Sequence, residues 1–396
     1  MIRGVDKRVS FINLSGVMES EMSITEKYSL NRVLMTVDAV GGVWTYSCEL
    51  ARQFKEKNIQ VVFVLMGPRL DDAQKKMLSD LDNVEIIESK YKLEWMDDPW
   101  NHIDEAGEWL LELEILFHPD IVHLNGFAHA AMAWHAPVLV VAHSCVCSWY
   151  DNVLNSQIPV SMKEYKKRVS EGLRCAECVV APSNAMLQSL YKHYGQIAPS
   201  TVIYNGNRKK STVTSLKETF VLTCGRIWDD AKNIVAIANL ASELQWSVYA
   251  AGEGDLEGRD YDNFKILGKL APPALAALMV KAPIFALPSK YEPFGLSILE
   301  AASSGCALVL GDIPSLREIW QDAALFVNPN DRVEIRDTIQ ECIRKPSLRN
   351  EYAKRARKRS ENFNSETMAE NYLRVYQAMM AHKSNIDFGN MLNLLP

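Results

Sequence analysis

The chain has few cysteines and little excess charge. Its 396 residues carry a formal net charge of −6, which excludes nucleic-acid binding by bulk charge because that binding needs a basic face. The cysteines are too sparse for a disulfide scaffold, and most lie in apolar runs, as reduced core thiols do. They are Cys48, Cys145, Cys147, Cys175, Cys178, Cys224, Cys306 and Cys342.

Signals for export and for membrane insertion are also missing. The first thirty residues carry charged side chains throughout and contain no apolar stretch of signal-peptide length. The longest stretch without Asp, Glu, Lys or Arg is Ile121–Tyr150. It contains four histidines and Pro137, which disfavour a transmembrane helix. We therefore expect a cytoplasmic protein.

Common cofactor and metal signatures are absent. The turn after the first predicted strand lacks the third glycine of the dinucleotide fingerprint, and no acidic residue ends the second strand, which disfavours a dehydrogenase. No Asp-x-Asp triplet follows a strand, so we expect no essential Mg²⁺ and no cofactor. Cys175 and Cys178 have no second pair at zinc spacing, so we expect no metal site.

What the sequence does contain is two successive alternations of short apolar runs and longer amphipathic runs. This pattern predicts an α/β protein built of βαβ units with parallel sheets. The apolar runs are continuous, as in strands buried on both faces. Strands are predicted at 32–37, 60–65, 84–87, 121–124, 138–142, 178–181, 201–204, 220–224, 247–251, 264–267, 284–287, 307–310 and 324–327.

A polar, aperiodic run separates the two alternations and indicates a linker. Two Rossmann-like halves leave a cleft between them, and ligands of open α/β sheets bind beyond the carboxyl ends of the strands. The residues that follow strands are therefore the candidates for a site. The predicted parts are an extension at 1–30, a first domain at 31–206, the linker at 207–217, a second domain at 218–364, and a terminal helix and tail at 365–396.

The strongest local signal follows the strand predicted at 284–287. Glu292 and Glu300 are separated by seven residues that include a Pro-Phe-Gly insert. A helix that begins near Gly295 lets both carboxylates face one cleft. The N–H groups of Phe294, Gly295 and Leu296 then point outward at the helix start, where unsatisfied donors and partial positive charge form an anion site.

Three further polar clusters follow strands. Arg226 and Lys232 flank a loop after the first strand of the second half, and two cations at a strand end suit a diphosphate. Gly41 and Gly42 form a turn after the first strand, where the backbone can approach a ligand closely. His143 follows the fifth predicted strand, at the edge of the expected cleft.

Together these residues resemble those of the retaining glycosyltransferases of family 4, the group 1 enzymes. The resemblance extends from about residue 32 to residue 381. It implies the GT-B architecture of two facing Rossmann-like domains with an interdomain cleft, and a final helix that crosses back to the first domain. It also implies that the chain is a hexosyltransferase that takes a sugar from a nucleotide-diphosphate sugar with retention of configuration.

The resemblance assigns roles to the residues of the second half. Glu300 corresponds to a glutamate that binds the donor ribose hydroxyls. Glu292 corresponds to a catalytic-site glutamate near the donor sugar. Arg226 and Lys232 correspond to the pair that holds the donor diphosphate, and the N–H groups at 294–296 complete this donor site.

In the first half, the resemblance places His143 near the transferred sugar as a second catalytic residue. It places Gly41 and Gly42 beside the phosphate or the acceptor. The acceptor is expected to be a glycan, a lipid-linked sugar or a small molecule, as in polysaccharide biosynthesis. Nucleic acid is not an expected partner.

Two other functions stay open. One is a sugar-nucleotide epimerase of the same fold, which would need acid and base residues on the donor sugar. The other is a nucleotide-sugar-binding protein without catalysis. Eight basic residues between 344 and 359 and a smaller basic cluster at 163–168 also predict weak peripheral contact with an anionic membrane, at its inner face.

Overall fold

The computed structural model describes residues 29–208, 216–256 and 261–382 of the chain. Most of the predicted extension, most of the predicted linker and the tail beyond residue 382 lie outside the described residues. The predicted domain boundaries in those parts therefore stay predictions.

The first half is a parallel sheet with helices on its two faces. Its strands are β1 Arg32–Asp38, β2 Gln60–Met66, β3 Val84–Glu88, β4 Ile121–Leu124, β5 Val138–Val141, β6 Cys178–Ala181 and β7 Ser200–Val202. They lie in the order β3-β2-β1-β4-β5-β6-β7. The helices are α1 Gly42–Lys55, α2 Asp72–Lys76, α3 Trp100–Phe117, α4 Val146–Val153, α5 Lys163–Cys175 and α6 Asn184–Tyr194.

The second half repeats this arrangement with six parallel strands. They are β8 Phe220–Cys224, β9 Ser247–Ala251, β10 Phe264–Gly268, β11 Ile284–Leu287, β12 Ala307–Gly311 and β13 Leu325–Val327. Their order is β10-β9-β8-β11-β12-β13. The helices are α7 Ile234–Leu240, α8 Pro272–Lys281, α9 Leu296–Ser303, α10 Pro314–Trp320, α11 Arg332–Arg344 and α12 Pro346–Ser360.

All thirteen predicted strands are confirmed, with ends that differ by two residues at most. The prediction succeeds because β4, β5, β6, β8, β11 and β12 are buried along their whole length, so their sequences are almost entirely apolar. In each sheet the strand order reverses beside the first strand, between β1 and β4 and between β8 and β11. Such reversals open a crevice at the carboxyl ends of the strands.

The last helix, α13 Ser365–His382, leaves the second half and packs on the first. Met368, Tyr372 and Tyr376 of α13 are buried in the same cluster as residues of α1 and β1. The ring centroids of Tyr376 and Phe54 of α1 lie 6.0 Å apart. The core of the first half is therefore completed by the end of the chain.

Two passes of the chain run side by side where the halves meet. Asn207 N donates to Phe363 O at 3.2 Å, and Ser365 N donates to Asn207 O at 3.1 Å. A Cβ on Gly206 would lie 2.3 Å from Asn364 O. Gly206 is therefore required by close backbone approach.

The halves also exchange polar contacts near this crossing. Ser183 Oγ donates to Pro293 O at 2.7 Å. Glu318 of α10 accepts from the main-chain N–H groups of Asn184 and Ala185, at 2.7 and 2.8 Å. These N–H groups belong to the first turn of α6, where they have no acceptor within the helix. A carboxylate of the second half thus caps a helix of the first.

A close contact inside the first half gives a stability prediction. A Cβ on Gly172 of α5 would lie 1.9 Å from the carbonyl oxygen of Phe127. We expect Gly172→Ala to lower the free energy of unfolding by about 1–3 kcal/mol, because backbone must move, as measured by urea denaturation. Gly107→Ala is the matched control in a second helix, since its Cβ would meet only the flexible Met132 side chain. Equal effects of the two substitutions would contradict the prediction.

Candidate active site

The loop after β8 brings Arg226 to the cleft together with a carboxylate. Arg226 Nη2 donates to Asp229 Oδ2 at 2.5 Å, and its guanidinium lies 5.2 Å from the Trp228 ring centroid. Burial would raise the pKa of Asp229, but the charges of Arg226 and Lys232 hold it below its usual value. Arg226 Nε is buried without a protein partner in the described part of the chain.

Lys232 forms an ion pair with Glu292 at the edge of the cleft, within the second half. Lys232 Nζ donates to Glu292 Oε2 at 2.5 Å, and both side chains are largely buried. The main-chain oxygen of Glu292 accepts from Ser315 Oγ at 2.6 Å, which fixes the loop that carries the carboxylate. Two residues predicted to serve different parts of the donor are therefore in direct contact.

The start of α9 is built as the sequence predicts. The helix begins at Leu296, after Gly295 in the left-handed region at φ +90°, and no side chain caps it. Its first N–H groups therefore lack side-chain acceptors, which suits an anion. A Cβ on Gly295 would also lie 2.6 Å from Ile298 Cδ1. The Phe294 ring is buried against Phe363, so only the main chain of Phe294 can serve the site.

Glu300 lies in the second turn of α9 and is half-buried. It lies near Cys224, the last residue of β8, and its charge contributes to the pKa of that thiol. Burial raises the pKa of the Cys224 thiol to about 12, Glu300 adds to the rise and Lys232 opposes it. Glu300 and Lys232 therefore both act at the carboxyl end of β8.

The Gly-Gly turn of the first half faces these donors. A Cβ on Gly41 would lie 2.8 Å from Arg226 Nη1, and a Cβ on Gly42 would lie 3.1 Å from Leu296 Cδ1. Gly41 also has a φ of +76°, which favours glycine. A side chain at Gly41 would take the space used by the guanidinium.

His143 lies just beyond β5, on the other wall of the cleft. Its Nε2 lies 2.8 Å from Asn125 Oδ1, and burial lowers the pKa of His143 to about 3. The imidazole is therefore neutral. The next segment binds the second half, since Cys145 N donates to the hydroxyl of Tyr291 at 3.2 Å. This contact joins the segment after β5 to Tyr291, the residue that precedes Glu292.

Two acidic residues that the sequence prediction omitted lie at the same place. One is Asp229, described above. The other is Asp38, the last residue of β1, which is 9% exposed and accepts from Val40 N at 2.7 Å. Burial raises the pKa of Asp38 to about 7, against the Val40 hydrogen bond and the charge of Arg226. Its position at a strand end is the signal that could have identified it.

Other sequence expectations concern metals and membranes. Among the residues that the structure describes, no group of three or more His, Cys, Asp or Glu could hold a metal ion. All eight cysteines are free thiols, and Cys175 is the exposed one. Within residues 29–208, 216–256 and 261–382, no helix has the length and apolar character needed to cross a membrane.

Comparison with known proteins identifies the family of the chain. Residues 40–207 match the family profile Glycosyltransferase Family 4, and residues 210–359 match Glycosyl transferases group 1. One relative is the O-antigen chain mannosyltransferase RfbU of Salmonella typhimurium, which is 28% identical over 193 residues. That match covers 44% of this chain and 52% of RfbU, so the chain spans about half the length of this relative.

Solved structures show the fold. Sucrose-phosphate synthase of Thermosynechococcus elongatus has a TM-score of 0.75 at 16% identity, over 89% of this chain and 100% of its own. Anabaena HepE, solved with UDP and glucose, has a TM-score of 0.67 at 17% identity, over 87% and 98%. The GT-B architecture is therefore confirmed. The two profiles and this fold together show that the chain belongs to glycosyltransferase family 4, with a group 1 glycosyl transferase domain as its second half.

Proposed function

We propose that the protein is a retaining, metal-independent hexosyltransferase that moves a sugar from a nucleotide-diphosphate sugar to a carbohydrate acceptor. The observation that carries the proposal is the convergence of Arg226, Lys232 and the uncapped start of α9 at the carboxyl ends of β8 and β11. Two cations and a row of N–H groups match the charge and the acceptors of a diphosphate.

The donor site works by stabilising the leaving group. When the bond between the anomeric carbon and the diphosphate oxygen breaks, the electron pair stays on the diphosphate. Arg226, Lys232 and the first N–H groups of α9 stabilise that charge without a metal. Glu300 binds the ribose hydroxyls at the far side of the same strand end.

Glu292 and His143 act at the sugar. Glu292 is paired with Lys232, and its carboxyl oxygens accept hydrogen bonds from sugar hydroxyls. His143 is neutral, so it orients the sugar by hydrogen bonding rather than by charge. With retention, the acceptor oxygen attacks from the face that the diphosphate leaves, and its proton passes to the diphosphate.

The comparisons suggest which ligands to try first. HepE was solved with UDP and glucose, which makes UDP the first nucleotide to test. RfbU is named an O-antigen chain mannosyltransferase, which favours a glycan or lipid-linked acceptor in polysaccharide biosynthesis. The predicted weak contact with an anionic membrane stays a prediction. Among the basic residues between 344 and 359, Lys345 and Arg355 pair with Glu341 and Glu351, and Arg349 and Arg359 donate to main-chain oxygens.

Nucleotide binding should stabilise the protein. We expect one of UDP, GDP and ADP, at about 1 mM in EDTA, to add about 2.7 kcal/mol to the free energy of unfolding if its Kd is near 10 μM. Glu300→Gln should lose most of this gain, because a charged hydrogen bond contributes about 1.5–3 kcal/mol. The measurement is thermal unfolding with and without each nucleotide.

The control is Glu361→Gln, which alters an exposed carboxylate of the second half and should leave the gain intact. A gain that appears only in buffer without EDTA and with added Mg²⁺ would refute metal independence. The absence of a gain with all three nucleotides would refute the donor site.

Loss of Arg226 should slow the reaction more than it weakens binding. We expect Arg226→Ala to lower kcat for nucleoside-diphosphate release from the donor by about 10²–10³-fold, because it removes transition-state stabilisation, with KM changed much less. Arg317→Ala, which removes an exposed arginine paired with Asp312, is the matched control. Unchanged turnover in Arg226→Ala would rule out its assigned role.

Asp38 should make nucleotide binding depend on pH. Its pKa of about 7 means that it is neutral below pH 7 and charged above. The charged form competes with the diphosphate for Arg226, so affinity should fall as pH rises through 7, by about three- to tenfold. Titration calorimetry of wild type and Asp38→Asn from pH 6 to 8.5 checks this. Parallel pH curves for the two proteins would contradict it.

A further inference from the structure

The loop 89–99, between β3 and α3, covers part of the edge where the strands of the first sheet end. The main-chain nitrogen of Gly67, the residue after β2, donates to Tyr91 O at 2.7 Å. On the other side of the loop, Glu94 accepts from the main chain of Phe127, shortly after β4. Because the carboxyl ends of parallel strands meet at one edge, this loop lies at the edge that borders the cleft.

Glu94 brings a carboxyl group next to the turn that follows β4. Its Oε2 accepts from the main-chain N–H groups of Phe127 and Ala128, at 3.1 and 2.9 Å, while Oε1 lies 3.3 Å from Phe127 N. The two donors therefore lie closer to Oε2, and Oε1 keeps lone pairs for another donor. Burial raises the pKa of Glu94 to about 7. A carboxyl group in such a place is stabilised by a further hydroxyl that donates to it.

The space next to this carboxyl group lies at Gly126. The nearest atoms to a Cβ on Gly126 would be those of the Glu94 carboxyl group, at 3.8–3.9 Å, so a small group fits there. Gly126, Asn125 and His143 are all partly exposed, and Asn125 Oδ1 lies 2.8 Å from His143 Nε2. Glu94 therefore shares one accessible surface with His143, which the proposed function places at the transferred sugar.

The charges of the loop favour a neutral ligand on this surface. The segment from Glu94 to Asp98 contains three carboxylates, the third being that of Asp97, and no cation. Lys92 of the same loop donates to the main-chain oxygens of Asp97 and Asp98, at 2.8 and 3.3 Å. An anionic group would meet like charges here, whereas a sugar hydroxyl can donate to Glu94.

We propose that Glu94 determines the acceptor specificity of the enzyme, by binding a hydroxyl of an acceptor whose reacting sugar is neutral. The proposal rests on the proposed function, because it places the acceptor on the first half, opposite the donor site. The hydroxyl donates to Glu94 Oε1, and the sugar ring covers Gly126, where a side chain would take its space. Acceptors with a phosphate or a carboxylate on this sugar are rejected by the carboxylates of the loop.

Binding of simple glycosides tests the charge preference. Saturation-transfer difference spectra of the wild-type protein with UDP are recorded for methyl α-mannopyranoside, methyl α-glucopyranoside and methyl α-galactopyranoside, and for the 6-phosphate of each. We expect at least one neutral glycoside to bind and its 6-phosphate not to bind. The proposal is overturned if none of the neutral glycosides binds, or if a 6-phosphate binds as well as its neutral parent.

Two substitutions test the residues. Glu94→Gln replaces one oxygen by an N–H donor, while the remaining oxygen still accepts from Phe127 and Ala128. We expect it to weaken glycoside binding about tenfold or more, the scale of one charged hydrogen bond. Gly126→Ala should weaken binding to a similar extent, because its Cβ fits without a clash but occupies the space of the sugar. Glu85→Gln, which alters an exposed carboxylate of β3, is the matched control and should change nothing.

The nucleotide gain in thermal stability separates this proposal from the proposed function, because both substitutions should leave that gain intact. Unchanged glycoside affinity in Glu94→Gln and Gly126→Ala, with the nucleotide gain intact, would refute the acceptor role of Glu94 and leave the donor site standing. The absence of a nucleotide gain in the wild type, with glycoside binding as expected, would refute the donor site and leave the role of Glu94 standing.

Discussion

The cleft depends on one constraint, the close backbone approach of residues 205–207 and 363–365. These two passes join the halves with two main-chain hydrogen bonds and leave no room for a Cβ at Gly206. The passes fix where the second half sits, and they direct α13 onto α1. The contacts of Gly41 with Arg226 and of Gly42 with Leu296 follow from that placement. The site is therefore assembled from two sheets that neither half could align alone.

The strands and the main site residues could be predicted from the sequence for the same physical reason. Strands buried on both faces must be apolar, and polar residues that directly follow them then stand out. Arg226, Lys232, Glu292 and Gly295 were found in this way. The pairing of Lys232 with Glu292 could not be predicted, because it joins loops sixty residues apart. The strand-end position of Asp38 is visible in the sequence, but the burial that raises its pKa is not.

Both cations of the cleft are oriented by the same kind of contact. Arg226 and Lys232 are each held by a carboxylate of the same half, Asp229 and Glu292. Such pairs hold the two basic side chains in fixed orientations. Both lie in partly buried positions, where an unpaired charge would cost free energy. A diphosphate that enters meets groups already in position. The diphosphate must therefore compete with Asp229 and Glu292 for these two cations.

The cap that Glu318 provides for α6 has a consequence for the independence of the two halves. The first turn of α6 is complete only while α10 stays against it. A first half cut from the second at the linker would lose those acceptors and, with α13 gone, the buried rings of Tyr372 and Tyr376 as well. It would expose apolar surface and a frayed helix end. The predicted boundary therefore separates two halves that each complete the packing of the other.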